Sequence, residues 1–180
     1  LDCYTDEPAG LGVPPYLGTY PRYIAGKLHP EKVNYITIDD LRLVKSYNNR
    51  KPESEIVTNI KIYNTTNQNI PEILRNTTHL VIILGVQTPG KYLSAVPGTM
   101  KEVVSLIKDL SCKKILTGPA IFGTQLIGGR RAETIPENVF DETWNAHFNF
   151  QEIKDYAIKG AYIIKSIPQK RIVEIETGRG

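Results

Sequence analysis

The chain has 180 residues and 20.2 kDa, the size of one ordinary domain, with 41% hydrophobic and 23% charged residues. That balance suits a folded core, and the longest apolar run, around Leu80 to Val86, is strand-sized and far short of the roughly 20 residues of a membrane span. A net charge of +3 with dispersed basic residues gives no reason to expect nucleic acid, and two cysteines, Cys3 and Cys112, exclude a disulfide framework, a four-sulfur zinc site or an iron–sulfur cluster.

Leu1 to Thr5 reads as the tail of a strand whose first residues are missing. The chain opens on Leu rather than Met, and nothing there resembles a signal peptide, so a cytoplasmic setting is expected. Asp6 to Gly18 is a Pro- and Gly-rich loop that cannot be helix interior. Thr19 can cap a helix over Tyr20 to Leu28, with Pro21 in its first turn and Pro30 beyond its end. Val33 to Ile38 is β-branched and aromatic, as strands are. Asp39 or Asp40 is expected to cap a helix through about Tyr47, and Ile56 to Tyr63 alternates like a strand or a buried connector. Asn69 to Arg75 predicts a short capped helix.

His79 to Leu84 is almost continuously apolar, as expected of a strand covered on both faces. A helix begins at Gly98 or Thr99 and carries Val103, Val104, Leu106, Ile107 and Leu110 on its apolar face. Lys114 to Leu116 is the next strand, and Glu152 to Lys165 the last helix, with Ile153, Tyr156, Ala157, Ala161 and Ile164 on one face. Arg171 to Glu176 alternates like a strand and then stops at Gly-Arg-Gly, as a cut boundary would, the alternative being a natural C-terminal edge strand. The expected organisation is a domain over 1–170 and a strand or linker over 171–180 leading toward a further domain. Alternating strands and helices predict a doubly wound, mainly parallel α/β sheet with flanking helices, of flavodoxin-like or cobalamin-binding-like type.

Open parallel sheets bind ligands beyond the carboxyl ends of their strands. Three predicted strand exits share one chemistry: Asp6, Glu7, Gly10 and Gly12 in the first; Gly85, Thr88, Gly90, Lys91 and Tyr92 in the second; Thr117, Gly118 and Pro119, running on to Gly128, Gly129 and Arg130, in the third. Glycines allow close backbone approach and prolines stiffen the loops, so the three could line one crevice, although Gly and Pro also punctuate ordinary loops. Asp2, Asp6, Glu7, Asp39 and Asp40 could gather as carboxylates near the first two strand ends, with Asp39 and Asp40 more simply a helix cap. Arg130 and Arg131 could grip a phosphate or carboxylate. No phosphate-loop motif and no nucleophile–base arrangement occurs; His29, His79 and His147 read as surface or capping residues. The Asn-Thr-Thr triplets at Asn64 and Asn76 read as chance matches to a glycosylation pattern.

The opening stretch from Asp2 through Pro14-Pro15-Tyr16 to Gly26 resembles the start of an archaeal family in which a cobalamin-binding-like domain precedes a radical S-adenosylmethionine domain. Gly85 to Leu93 and Leu116 to Ala120 fall where that family has its second and third loops, and Val139 to Phe150 matches least. The resemblance implies cobalamin as the cofactor, held at the three loops. It implies that the chain's own C-terminal radical S-adenosylmethionine domain is the partner, carrying the [4Fe–4S] cluster and S-adenosylmethionine outside this chain. Cobalamin binders of this kind usually carry Asp-x-His-x-x-Gly in the first loop and Gly-Gly in the third. Here the first loop, Asp6 to Gly10, has no His, and Thr117-Gly118 stands in place of Gly-Gly. The other readings are a cofactor-free interaction scaffold using Tyr16, Tyr20, Tyr92 and Leu93, and a stand-alone flavodoxin-like enzyme acting through Asp6, Glu7 and Arg130.

Overall fold

A computed structural model describes residues 1–3, 19–45, 65–66, 68–85, 98–122 and 134–166. Three parallel strands form the sheet in the order β1 (His79–Ile83), β2 (Lys113–Thr117) and β3 (Glu142–Thr143). Parallel bridges extend it on the β1 side. Asp2 bridges to Ile83 on one flank and to Thr37 on the other. Cys3 N donates to Ile83 O (3.1 Å), Ile83 N to Leu1 O (2.9 Å), Asp2 N to Ile36 O (2.8 Å) and Ile38 N to Asp2 O (2.9 Å). Across the sheet the segments therefore run 35–38, 1–3, β1, β2, β3, all in one direction. The chain leaves 1–3 for one flank and returns to the other, so the space between 1–3 and β1 is where the winding reverses.

Both faces of the sheet are covered, as the apolar run predicts. Leu80, Ile82, Leu84 and Leu116 join Ile36, Ile38, Leu41 of α2 (Ile38–Val44), Ile70 of α3 (Ile70–Asn76), and Met100, Val103, Leu106 and Ile107 of α4 (Met100–Ile107) in one core. The intervening side chains turn the other way. Ile83, with Val81 beside it, packs with Ile24 of α1 (Thr19–Lys27) and Ala146, while Tyr35 packs with Ala25 and Ile163. Helix α5 (Phe150–Lys159) and the 3-10 turns Ala161–Ser166 complete this second layer. The molecule is thus a mixed α/β fold with a parallel sheet between two helical layers. Among the described residues no helix is long and apolar enough to cross a membrane.

Local chemistry sets the element ends. Thr99 accepts from Glu102 N and starts α4, and Asn149 forms a reciprocal capping box with Glu152 at the start of α5. Helix α1 crosses α5 at two glycines. A Cβ on Gly26 would collide with the Tyr156 carbonyl, and one on Gly160 with the Arg22 carbonyl. Phe148 packs edge-on against Tyr20, Tyr23 and Tyr156 at 5.6–5.8 Å, and Lys27 Nζ lies 5.7 Å from the Trp144 ring.

Several expectations need correction. The cap of α2 is Thr37, with Asp40 as its capping-box partner, rather than Asp39 or Asp40 as the N-cap. Asn69 precedes α3 without a side-chain capping bond. Helix α5 ends at Lys159 rather than Lys165, because Gly160 must lie against α1; Ala161 is exposed as a result. Strand β3 was not expected at all. It is two exposed residues with no apolar pattern, held by backbone register and by an exposed Lys113–Glu142 ion pair of 2.7 Å. The expected strands at 56–63 and 171–176 lie outside the described residues.

Candidate functional site: the carboxyl edge of the sheet

The strand ends of β1 and β2 are laced together by their backbones. Leu84 N donates to Thr117 O (2.9 Å), and Ala120 N donates to Leu84 O (3.0 Å). Between them the chain turns sharply at Gly118, where φ is +93°. A Cβ there would sit 2.6 Å from the Leu84 carbonyl oxygen, so this position requires glycine both for its φ and for its space. Pro119 then opens a 3-10 turn over Pro119–Phe122. Gly85, half-buried, follows Leu84 directly. Gly85, Thr117, Gly118 and Pro119 are therefore brought to one edge, as the sequence predicts for the second and third loops.

The first loop leaves from that same edge, since segment 1–3 runs parallel to β1 and Cys3 is its last described residue. Gly98, where the chain returns toward α4, donates its N–H to Cys3 O (3.0 Å). The remaining predicted site residues, Asp6, Glu7, Gly10, Gly12, Thr88, Gly90, Lys91, Tyr92, Gly128, Gly129 and Arg130, lie outside the described residues.

Among the described residues, side chains pack beneath this edge on both faces. On the α4 side a Cβ at Gly98 would meet Val103 at 3.1 Å, Ile38 at 3.3 Å and Cys3 at 3.4 Å, all of them buried. On the α1 side Ile24, Ile83 and Ala146 are packed together. Thr117 pairs with Ile83, and its neighbour Leu116 belongs to the α4-side core, so Thr117 faces the α1 side. It is 0% exposed, and its hydroxyl has no hydrogen-bond partner among the described residues.

Sequence reasoning missed a buried charged cluster beside segment 1–3. Arg42 donates from Nε to Glu102 Oε1 (2.7 Å) and from Nη2 to Glu102 Oε2 (2.8 Å), and from Nη1 to Asp39 Oδ1 (2.8 Å). Burial works against the Arg42 charge, but these bonds to Glu102 and Asp39 outweigh it and hold the guanidinium protonated beyond its ordinary range. Asp40 accepts from Thr37 N (2.8 Å) and Thr66 N (2.9 Å), as well as from both hydroxyls. Asp2 accepts from Tyr35 Oη (2.7 Å). Asp2, Asp39 and Asp40 do gather near the first two strand ends, but each carboxylate is engaged. The cluster ties α2 to α4 and to residue 66 rather than offering a reactive group. The i, i+3 spacing of Asp39 and Arg42 was visible in the sequence; the bidentate partner 60 residues away was not.

Neither cysteine is poised to react. Burial pushes both the Cys3 and the Cys112 thiols up, which keeps them neutral. His79 opens β1 and so lies at the opposite edge, and all three histidines are exposed. Tyr20, expected on an exposed apolar edge, instead donates to Ala146 O (3.1 Å) and packs on Phe148. Among the described residues no group of His, Cys, Asp and Glu is arranged to hold a metal ion.

The whole chain is similar to part of two longer archaeal proteins. It is 35% identical over 210 aligned positions to an uncharacterized protein of Methanocaldococcus jannaschii, covering 34% of that protein. It is 32% identical over 193 positions to an uncharacterized protein of Archaeoglobus fulgidus, covering 31% of it. The chain therefore spans about a third of the length of the curated relatives it matches. No family model matches it, and no solved structure matches it.

Proposed function

We propose that this chain is a doubly wound, flavodoxin-like module of a longer protein. It holds a planar ligand over the carboxyl edge of its sheet and presents it to a catalytic partner domain. The spatial order 35–38, 1–3, β1, β2, β3 supports this reading, because it agrees with a 2-1-3-4-5 winding, in which ligands sit at the reversal between the first and third segments. One observation carries the reading. Gly85 continues β1 at that reversal, and on the other side of β1 the buried Gly118 is folded onto Leu84, so that two glycine-bearing strand exits meet at one edge.

The ligand we favour is a corrin, cobalamin, and the partner a radical S-adenosylmethionine domain. Both come from the resemblance of the three loops. Relatives three times as long leave ample chain for a second domain. When bound, such a cofactor would supply methyl-transfer or radical chemistry, while this chain would bind and orient it. The iron–sulfur cluster and S-adenosylmethionine would belong to the partner domain, since Cys3 and Cys112 are buried apart. Calorimetric titration of the purified protein with cyanocobalamin tests this. One saturable site is expected; no binding heat at millimolar ligand would overturn it.

A second reading, a cofactor-free scaffold for the catalytic part, draws support from Phe150, which is 85% exposed on the first turn of α5. Phe150→Ala should then weaken association with the remainder of the longer protein, measured with separately expressed halves.

A further inference from the structure

Helix α5 is covered on one side only. It packs on α1, where Gly26 lies against the Tyr156 backbone and Gly160 against that of Arg22, and none of its ten residues is buried. On its outer side Phe150 is 85% and Ile158 69% exposed, with Lys154, also exposed, between them. The i, i+4, i+8 spacing sets these three side chains in one ridge along the helix. Single apolar residues are common on a surface. A phenylalanine and an isoleucine on one ridge, joined by the methylene stem of a lysine, make a continuous apolar strip instead.

The charges on the ridge say what fits it. The Lys154 ammonium has no ion-pair or hydrogen-bond partner among the described residues, whereas the neighbouring Asp155 is engaged by Lys159 at 2.6 Å. A second copy of this chain fits poorly. Two such ridges laid antiparallel about a twofold axis would set Phe150 against Ile158 of the other copy, and Lys154 against its own equivalent, with two like charges in the middle of the contact. A surface with apolar side chains on either side of a carboxylate fits all three positions. Both longer relatives carry about two-thirds of their length outside the match, ample chain to supply such a surface. We infer that the outer ridge of α5 seats the remainder of the longer protein, with Phe150 and Ile158 covered by its apolar side chains and Lys154 paired with one of its Asp or Glu residues. This inference rests on the reading of the chain as a module of a longer protein, and not on which ligand the sheet edge holds.

The test is hydroxyl-radical labelling, read by mass spectrometry, of the 180-residue chain and of the intact longer protein. Phe150 and Ile158 should label about fivefold less in the longer protein, as apolar side chains at the centre of an interface do, while Leu43, 51% exposed on α2 in the opposite layer, labels alike in both. In the longer protein Lys154→Glu should return Phe150 labelling to the level of the 180-residue chain, and Lys154→Arg should keep it low. Both are substitutions of an exposed side chain and leave the fold intact. Protection that survives Lys154→Glu overturns the acidic partner. Phe150 labelling that falls as the 180-residue chain is concentrated identifies a second copy as the occupant and overturns the inference. Protection at other sites, with Phe150 and Ile158 still labelled, overturns it too but leaves the module reading standing. Identical labelling of the two proteins at every site removes the module reading itself.

Discussion

The two layers that enclose the sheet are held by different physics. The α4 layer is aliphatic, built from Leu80, Ile82, Val103, Leu106 and Ile107, and closed at its upper end by the Asp39–Arg42–Glu102 strap. The α1 layer is aromatic, built on Phe148 with Tyr20, Tyr23 and Tyr156, and closed by backbone contact at Gly26 and Gly160. An aliphatic layer of interdigitated side chains can relax a little around a small change. A backbone-to-backbone crossing cannot, and neither can a charge sealed between helices.

That contrast breaks most visibly at the strap. Arg42→Ala strands Glu102 and Asp39 in a buried site, and should cost about 3–5 kcal/mol in urea unfolding. A loss below about 1 kcal/mol would mean that water reaches the pair and that it is no strap. Next comes the comparison of glycines. Gly26→Val drives a side chain into the Tyr156 backbone and should cost about 3 kcal/mol or more, whereas Gly98→Ala meets only side chains and should cost about 1 kcal/mol. Equal costs at the two positions would show that the layers yield alike. A smaller effect of opposite sign is expected at Thr117. Thr117→Val keeps the shape and removes a hydroxyl that has no partner among the described residues, and should raise stability by about 1 kcal/mol.

The gentlest probe is pH. The Cys3 and Cys112 thiols are raised above their ordinary value of 9.0 by burial, so above that pH the unfolded chain loses protons that the folded chain keeps. Their contribution is complete below pH 9 and declines as pH rises past it, with a slope of at most about 1.4 kcal/mol per pH unit for each thiol. Urea midpoints measured between pH 8 and 10.5 should fall, and Cys3→Ala should flatten the fall. A slope unaltered by that substitution would mean that the thiol is accessible to water.

Legibility in the sequence followed the strength of the apolar signal. Strands β1 and β2 and helix α4 stand within a residue or two of where their apolar runs and the Thr99 cap place them. The strand expected over Val33–Ile38 was legible only in part: its backbone pairs with segment 1–3 through a single bridge at Thr37, and Ile38 already opens α2. Strand β3 was not, since Glu142 and Thr143 carry no burial signal and are placed by their neighbour alone. The end of α5 was misjudged for a related reason: Ala161 and Ile164 continue the helical spacing, but Gly160 is needed at the crossing with α1. At the candidate site, Gly118 was readable from the strand-then-glycine pattern. The Arg42–Glu102 pair was not, because charged residues carry no periodicity that reveals a partner 60 positions on. Burial of Thr117 was equally hidden, as a threonine at a strand end reads the same whether it faces a ligand or a helix.

The account stands on where a ligand touches the molecule. Backbone amide shifts recorded by NMR on isotope-labelled protein, with and without cyanocobalamin, locate that contact directly. The amides of Gly85, Gly98, Gly118 and Ala120 should move, while those of His79 and Lys113 at the opposite strand ends stay still. Shifts centred on His79 and Lys113, or no shifts at a saturating concentration, would contradict it.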